Sequence, residues 1–505
     1  MSAPRDVGPS VLIVGAGFGG LAMAAELARH GLRNFVVLEK SAAAGGVWCD
    51  NTYPGAGCDI PSPYYSYSFA PNTEWPRRFS LQPDIQRYID GVIDAYDLRP
   101  HLRFGIEVTA AAFDAETATW HIETDSGESF EADVFVPATG VLSRPVLPGI
   151  QGRESFEGKA FHSARWDHDY DLTGKRVAVI GTGASAVQFI PRIQPQVARL
   201  TVFQRSAPHI IPKPDTEYGR LHQRAFRVLP LLLSVERAGF WGVGELMTAA
   251  ILGNRPIAAA LQWLSEYHLR RQVPDPALRA TLTPDHPIGC KRILFANNYY
   301  PALAQPNVEV TTERISEITP RGVRTVDGVH HEVDAIIYGT GFAAQEPLAP
   351  MRIRGLDALD LHERWSGGAR AYHGIAVPGF PNMFLVYGPN TSLGAGSIVF
   401  MHERQARYIR QLIEHLAAHR DSALEVRADV ERRYDDEIQR RLQHTAWTGC
   451  ASWYRNANGR VTANWPGTVT EYHRRTRKVD FADFHHVPAG PAALPESSAV
   501  VTEIR

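Results

Sequence analysis

The 505-residue chain has few cysteines, and their positions exclude several classes of protein. Cys49, Cys58, Cys290 and Cys450 are too few and too scattered for a disulfide framework, and none lies at zinc-ligand spacing from another. The Cys-x4-Cys pair that disulfide-reducing flavoproteins need is also absent from the sequence. These absences predict a reduced protein without a metal site.

Charge and hydrophobicity give no support for binding to a nucleic acid or spanning a membrane. Lys+Arg of 52 against Asp+Glu of 54 leaves no basic excess. The first ten residues lack the basic-then-apolar pattern of a signal peptide. The most apolar stretch, 228–252, contains a proline and three charged residues, so it cannot span a bilayer without burying charge. We predict a cytoplasmic protein that has no membrane span.

The most informative feature present is a glycine-rich turn near the N-terminus. An apolar strand at 11–14 leads into a turn with Gly15, Gly17 and Gly20, a helix follows at 21–30, and a second strand ends at Glu39. In such a β-α-β unit the three glycines permit a tight turn, close approach of a pyrophosphate, and helix–sheet packing. Glu39 can accept hydrogen bonds from ribose hydroxyls and would repel a 2′-phosphate, which favours FAD or NAD. The alternative is a crossover that binds no nucleotide.

A second turn of different type follows a strand at 176–180. It contains Gly181, Gly183 and Ala186, and its next strand ends at Arg205 and Ser206 with no carboxylate. A guanidinium and a hydroxyl at this place suit the 2′-phosphate of NADPH. Arg205 alone is equally compatible with a solvated surface charge. Two nucleotides in one chain indicate electron transfer between them.

The fold class predicted from this pattern is α/β, with two Rossmann-like dinucleotide-binding domains and a helical insertion. Two further strands ending in Ala-Thr-Gly and Gly-Thr-Gly are each followed by prolines, which suits crossings between domains. The sequence predicts an FAD-binding domain at 1–143 with 344–505 and an NADP-binding domain at 150–211 with 289–341. It also predicts a helical insertion at 212–288 and a disordered tail at 487–505.

Several motifs carry a resemblance to a known family. They are Phe156-x-Gly158-x3-His162-x3-Trp166-Asp167, the stretch 45–59, Gly289-Cys290-Lys291-Arg292, Tyr387-Gly388-Pro389-Asn390-Thr391 and Ser452-Trp453-Tyr454. In this order and over nearly the whole chain, they resemble Baeyer–Villiger monooxygenases. A short C-terminal region and the surroundings of Cys450 depart from the family pattern, which leaves the substrate class open.

The resemblance implies an enzyme that uses FAD, NADPH and O2 to convert a ketone into an ester or lactone through a flavin C4a-peroxide. Arg292 matches the arginine that keeps this peroxide anionic, and Asp59 matches the carboxylate that holds its guanidinium. Lys291 matches a second contact to the NADP 2′-phosphate. From the residues alone, Arg292 is equally compatible with a surface arginine and Asp59 with a turn-stabilising aspartate.

The resemblance also implies further cofactor contacts. Trp48 is expected near the flavin and Trp453 near the nicotinamide ribose, although either could be a core tryptophan. Tyr65, Val108 and Asn390 complete the predicted contacts.

Two other functions remain compatible with the sequence. One is a flavin monooxygenase that oxidises amines or sulfides, which the pair Arg292 and Asp59 would distinguish. The other is a non-catalytic redox-sensing module that keeps both nucleotides; the intact glycines of both turns argue against it.

Overall fold

The computed structural model describes residues 8–419, 422–450, 452, 454–456 and 458–490. The strands are β1 (Val11–Val14), β2 (Phe35–Glu39), β3 (Leu102–Phe104), β4 (Val108–Asp114), β5 (Thr119–Thr124), β6 (Ser129–Ala132), β7 (Val134–Pro137), β8 (Lys159–His162), β9 (Arg176–Ile180), β10 (Arg199–Phe203), β11 (Ile210–Ile211), β12 (Leu294–Phe295), β13 (Val308–Thr311), β14 (Ile315–Thr319), β15 (Gly322–Thr325), β16 (His330–Glu332), β17 (Ala335–Tyr338), β18 (Arg352–Arg354), β19 (Ser422–Val426) and β20 (Phe484–Pro488). The α-helices are α1 (Phe18–Arg29), α2 (Val47–Asp50), α3 (Gln82–Ala95), α4 (Ala184–Ile193), α5 (Arg220–Val228), α6 (Pro230–Ile251), α7 (Arg255–Gln272), α8 (Pro276–Thr281), α9 (Tyr299–Leu303), α10 (Leu361–Arg364), α11 (Ile398–Ala418), α12 (Ala428–Leu442) and α13 (Val469–Arg475).

The first glycine turn belongs to a parallel sheet of strand order β3-β2-β1-β7. All of β1 is buried, as expected for a parallel strand covered on both faces. Helix α1 packs against α11 on one of those faces. The helix begins at Phe18, three residues earlier than predicted, because Gly17 is its N-cap and the remaining glycines form its first turn.

The second turn belongs to a five-stranded parallel sheet of order β13-β10-β9-β17-β8. The residue pattern after the second turn predicts a helix from Ala184 to Ile193, and α4 has these bounds. The fold class is therefore α/β with two sheets of the dinucleotide-binding type. An antiparallel meander of β14, β15 and β16 follows β13 in the chain.

The chain returns to the first sheet after it has completed the second. Strand β18 pairs in parallel with β4, which is itself antiparallel to β5 in the sheet β18-β4-β5-β6. Met383 forms a parallel bridge with Phe135 of β7. Residues from both ends of the described chain thus pack around the first turn.

Two chain segments connect the sheets, and they lie side by side. Pro145 forms an antiparallel bridge with Phe342, and the backbone N–H of Ala343 donates to the carbonyl of Arg144 at 3.0 Å. Arg144 also makes an ion pair with Glu346 at 2.7 Å. The connection between the sheets is therefore a short two-stranded ribbon.

Helices α5 to α8 occupy the stretch that the sequence predicted as helical. Several of their large apolar side chains are exposed: Leu221, Val228, Leu229, Leu231, Leu232, Val235, Trp241, Val243, Leu246 and Trp263. Even so, none of the described helices combines the length and the apolar character that a bilayer crossing requires.

The predicted disordered tail is wrong at its beginning. Val487 and Pro488 belong to β20, which pairs antiparallel with β19 in the register Ser422↔Pro488 and Ala423↔Val487. The backbone pairing across more than sixty residues outweighs the local composition that suggested disorder. Residues 491–505 lie outside the described part of the chain.

Close packing at Gly20 gives a test of the first turn. A Cβ built at Gly20 would lie 1.8 Å from the carbonyl oxygen of Gly15, so alanine must push α1 away from β1. We expect Gly20→Ala to lower the free energy of unfolding by at least about 1–3 kcal/mol, the usual cost of overpacking. Gly91→Ala on α3 is the control, because nothing lies within 4 Å of its Cβ position. Equal melting temperatures for the two variants would show that the turn tolerates a side chain.

Candidate active site

The first turn forms the floor of a deep cleft. Gly15 has φ +103°, and a Cβ there would lie 2.8 Å from the carbonyl oxygen of Ala138. A Cβ on Gly17 would lie 3.5 Å from Cα of Gly46, so two glycine segments face each other across the cleft. The cleft has an empty volume of about 1450 Å³, including the part that is open to solvent. The unpaired N–H groups that begin α1 face an anion at this place.

Glu39, Tyr65 and Val108 all line this cleft, as predicted for flavin contacts. Glu39 is buried, and its two carboxylate oxygens accept hydrogen bonds from the backbone N–H groups of Ala16 at 2.7 Å and Ser41 at 2.9 Å. The carboxylate is therefore fixed at the end of β2, where it would face a ribose. Its charge disfavours a 2′-phosphate in the same cleft.

Trp48 lies behind the cleft wall. Its indole N–H donates to the hydroxyl of Tyr65 at 3.1 Å, and the two rings meet edge to face. Burial raises the pKa of the Tyr65 phenol, which therefore stays protonated. Trp48 thus positions a tyrosine that lines the cleft, although it is not among the lining residues itself.

The second turn has the same close packing against its sheet. Gly181 has φ +109°, and a Cβ there would lie 2.4 Å from the carbonyl oxygen of Gly339. Gly183 is the N-cap of α4. Ala186 is fully buried, and its Cβ lies 3.4 Å from the Cβ position of Gly339. The helix therefore approaches the sheet closely, as a nucleotide-binding turn requires.

Two cations and a hydroxyl meet beside the second turn. The ammonium of Lys291 donates to the hydroxyl of Ser206 at 2.6 Å. The pKa of Lys291 lies below its ordinary value, because burial and the positive charge of Arg205 lower it more than the charge of Asp285 raises it. Lys291 comes from a segment 85 residues further along the chain than Ser206. The site has the charge and the donors that a phosphate dianion needs.

Arg292 acts electrostatically on two residues that line the first cleft, although it is not among the lining residues itself. Burial raises the pKa values of Tyr65 and Tyr387, and the positive charge of Arg292 reduces this rise. Desolvation by surrounding protein lowers the pKa of Arg292 itself. Nearby negative charge, chiefly that of Asp59, more than offsets this and holds the pKa above its ordinary value. The Arg292 side chain nevertheless remains accessible to solvent.

The direct hold of Asp59 on Arg292 that the resemblance implied is not observed. Among the described residues, the ion-pair partner of Asp59 is Lys213, whose ammonium lies 3.3 Å from one carboxylate oxygen. Lys213 also donates to the carbonyl of Cys58 at 3.2 Å. Asp59 is buried and affects Arg292 through space only. Lys213 follows the short strand β11 in a Pro-Lys-Pro sequence, and no sequence signal distinguishes it.

The expectation of four reduced cysteines is wrong for one pair. Cys290 and Cys450 form a disulfide, with their Cα atoms 6.1 Å apart and 160 residues between them in the chain. Cys49 and Cys58 are free. The bond ties the segment that carries Lys291 and Arg292 to the C-terminal region. Spacing in the sequence could not reveal a pair so distant.

Asn390 and Trp453 complete the predicted cofactor contacts. Asn390 is buried, and its side-chain nitrogen donates to the carbonyls of Val461 and Asn464, both at 3.0 Å. Its amide therefore holds a loop together. Trp453 lies outside the described residues.

Comparison with known proteins identifies the family. Residues 9–227 match the pyridine nucleotide-disulphide oxidoreductase family. A Baeyer–Villiger monooxygenase of Streptomyces coelicolor is 45% identical over 97% of this chain and 95% of its own length. A second one, of Pseudomonas aeruginosa, is 42% identical over 96% of this chain and 92% of its own length.

Solved structures agree with these relatives. A steroid monooxygenase bound to NADP is 32% identical with a TM-score of 0.85, over 95% of this chain and 99% of its own. A complex of OTEMO with FAD and NADP is 29% identical with a TM-score of 0.86, over 96% and 100%. Neither the amine or sulfide oxidase nor the redox-sensing module finds support here. With two glycine turns of the dinucleotide-binding type and these relatives, the chain belongs to the Baeyer–Villiger monooxygenases, FAD-dependent enzymes that use NADPH and O2.

Proposed function

We propose that this protein converts a ketone into an ester or lactone with Arg292 as its catalytic cation. The observation that carries the proposal is the position of Arg292, whose charge acts on Tyr65 and Tyr387 in the wall of the first cleft. When bound, FAD accepts a hydride from NADPH and activates O2. The residues of the chain then have to bind the ketone and stabilise charge.

Arg292 supplies that stabilisation. Attack on a ketone carbonyl places negative charge on its oxygen, and a guanidinium already in position stabilises this charge without reorganising. The interaction is stronger in a cleft than in water because protein surrounds the pair. With its raised pKa, Arg292 stays charged throughout the physiological pH range.

Asp59 and Lys213 act on Arg292 as positioning residues. Asp59 is buried beside both cations, and its ion pair with Lys213 at 3.3 Å keeps the carboxylate in one place. The carboxylate offsets part of the positive charge of the two side chains. We assign the local balance of charge to these three residues together.

The two sheets and the ribbon between them support the assignment of FAD and NADP to separate domains. We assign 1–143 with 344–505 to FAD, 150–211 with 289–341 to NADP, and 212–288 to a helical insertion. The paired segments around Pro145 and Phe342 connect the two sheets, so rotation of one sheet relative to the other would bend the backbone there. Such a rotation could present the nicotinamide and then withdraw it.

The first prediction concerns Arg292. Arg292→Ala should lower ester formation by about 100-fold or more, the usual effect of removing one preorganised donor. Arg292→Lys should retain part of the activity because it keeps the charge but not the planar fork. Reduction of FAD by NADPH, followed by its absorbance without oxygen, should survive in both. Arg324→Ala, an exposed arginine on β15, is the control. Unchanged ester formation in Arg292→Ala would reject the role.

The second prediction concerns the phosphate site. Lys291→Ala and Arg205→Ala should each weaken NADPH binding by about 10- to 100-fold, since a hydrogen bond to a charged group contributes about 1.5–3 kcal/mol. Binding of NADH should change little. As pH rises towards the lowered pKa of Lys291, the preference for NADPH should weaken, because only the ammonium attracts the phosphate.

Titration of the nucleotides by fluorescence measures both constants. Lys175→Ala is the matched control, because Lys175 precedes β9 at the end of the strand opposite the turn. Equal losses of NADPH and NADH affinity would place the two cations away from the 2′-phosphate.

The third prediction concerns the disulfide. Cys450→Ser should free the segment from Gly289 to Arg292 and slow ester formation by about 10-fold or more, because small misplacements of a catalytic group are costly. FAD should remain bound, since the first cleft is unaffected. Wild-type protein treated with a reductant should behave like the variant. Cys49→Ser removes a free thiol and serves as control. Full activity of both reduced wild type and Cys450→Ser would show that the bond does not position Arg292.

The substrate follows from product analysis. Cyclic, linear, aryl and steroid ketones, each incubated with NADPH and O2, should give esters or lactones detectable by mass spectrometry for at least one class. A sulfide serves as the comparison substrate. Oxidation of the sulfide with no ester from any ketone would contradict the proposed reaction.

A further inference from the structure

Three histidines lie close together at the surface, at the C-terminal end of α11. The N-terminal end of this helix lies beside the cleft. His415 lies on the last turn of α11, His419 is the residue at its C-cap, and His486 lies on β20. Their ring nitrogens all lie within 4.8 Å of one another. Among the described residues, this is the one group of at least three metal-ligating side chains so arranged. The oxidation reaction uses none of them.

The spacing of the nitrogens fits a small cation. Nε2 of His415 and Nε2 of His486 are 3.1 Å apart. In a tetrahedral zinc site with bonds of about 2.0–2.1 Å, two ligand atoms are separated by about 3.3 Å. One edge of the tetrahedron is therefore already formed. His419 follows His415 by four residues, so both side chains lie on the same face of the helix.

Neighbouring groups fix which nitrogen of each ring is free. Nδ1 of His419 lies 2.9 Å from the carbonyl oxygen of His415 and can only donate to it. The hydroxyl of Ser422 donates to the carbonyl of His419 at 3.3 Å, so it accepts from Nδ1 of His486 at 2.7 Å. Both rings therefore carry their proton on Nδ1 and leave the Nε2 lone pair available. Hydrogen bonds of this kind orient the histidine ligands of metal sites.

Ring stacking also holds one of the three side chains in place. The ring of His415 is stacked on Phe481 with centroids 4.1 Å apart, which restricts its rotation.

We propose that His415, His419 and His486 bind one divalent transition-metal ion, with Zn²⁺ as the best fit. Three imidazoles and no carboxylate favour zinc, copper or nickel over magnesium or calcium. His419 and His486 are exposed, so water can occupy a fourth position. The ion would tie the end of α11 to β20, whose only strand partner is β19.

The sequence alone does not join the third ligand to the pair on α11, because His486 is far from that pair in the chain. His415 and His486 are separated by 71 residues. They meet because β20 pairs with β19 and so lies against the end of α11. A site formed only in the folded protein stabilises the fold when the metal binds.

Zinc titration of the full-length, FAD-loaded protein without an affinity tag tests the proposal. A chromophoric chelator reports competition for Zn²⁺, and the expected result is one tightly bound ion per chain. His486→Ala and His419→Ala each remove a ligand and should weaken zinc binding by more than roughly 10- to 100-fold. That range is typical of losing a hydrogen bond to a ligand rather than the ligand itself. Ser422→Ala, which removes such a bond, should fall within that range.

His485→Ala is the matched control. His485 is the neighbour of His486 on β20, but its Nε2 lies 3.2 Å from a carboxylate oxygen of Glu425. Zinc should raise the melting temperature of wild type and His485→Ala but not that of His486→Ala or His419→Ala. Bound Co²⁺ should give the visible absorption of a tetrahedral site in wild type and His485→Ala but not in His486→Ala or His419→Ala.

The proposal is overturned if wild type takes up no zinc in competition with the chelator. It is equally overturned if His419→Ala and His486→Ala both bind zinc as wild type does. Baeyer–Villiger activity is not the readout, so failure of this proposal is separate from failure of the proposed reaction.

Discussion

A single short segment, Gly289 to Arg292, carries two cations that act in different places. Lys291 donates to Ser206 beside the second turn, while the charge of the next residue, Arg292, acts on tyrosines in the wall of the first cleft. Consecutive side chains point in different directions, which lets adjacent residues reach different sites. Under the proposed assignment, the position of a nucleotide at the second turn is thereby linked to the position of the cation beside the first. A disulfide from Cys290 limits how far this segment can move.

Much of the fold could be predicted because its signals are local. Each glycine turn lies within a β-α-β unit of about thirty residues, and the spacing of Gly15, Gly17 and Gly20 specifies its own geometry. The bounds of α4 were predicted correctly for the same reason. The family resemblance pointed to Lys291, whose ammonium contacts Ser206 beside the second turn.

The remainder depends on contacts between distant residues, which composition and spacing do not encode. The pairs Lys213–Asp59 and Cys290–Cys450 join positions separated by 154 and 160 residues. Strand β20 begins a tail that looks disordered by composition, and only its pairing with β19 makes it regular. Asn390 lies within a familiar motif, yet the motif does not indicate that its side-chain nitrogen donates to the carbonyls of Val461 and Asn464, more than seventy residues away.

The charges around Arg292 explain why its side chain remains accessible to solvent. Arg292 and Lys213 are both cationic, and the carboxylate that acts on both is that of Asp59. The group therefore carries a net positive charge in surroundings that desolvate it. A buried cation without a counterion is costly, so the guanidinium is stable only where it meets water or an anion. Its accessibility to solvent is the physical expression of this requirement. An oxygen that becomes negative during reaction would supply the missing charge, and the stabilisation would be greatest at the moment when that charge forms.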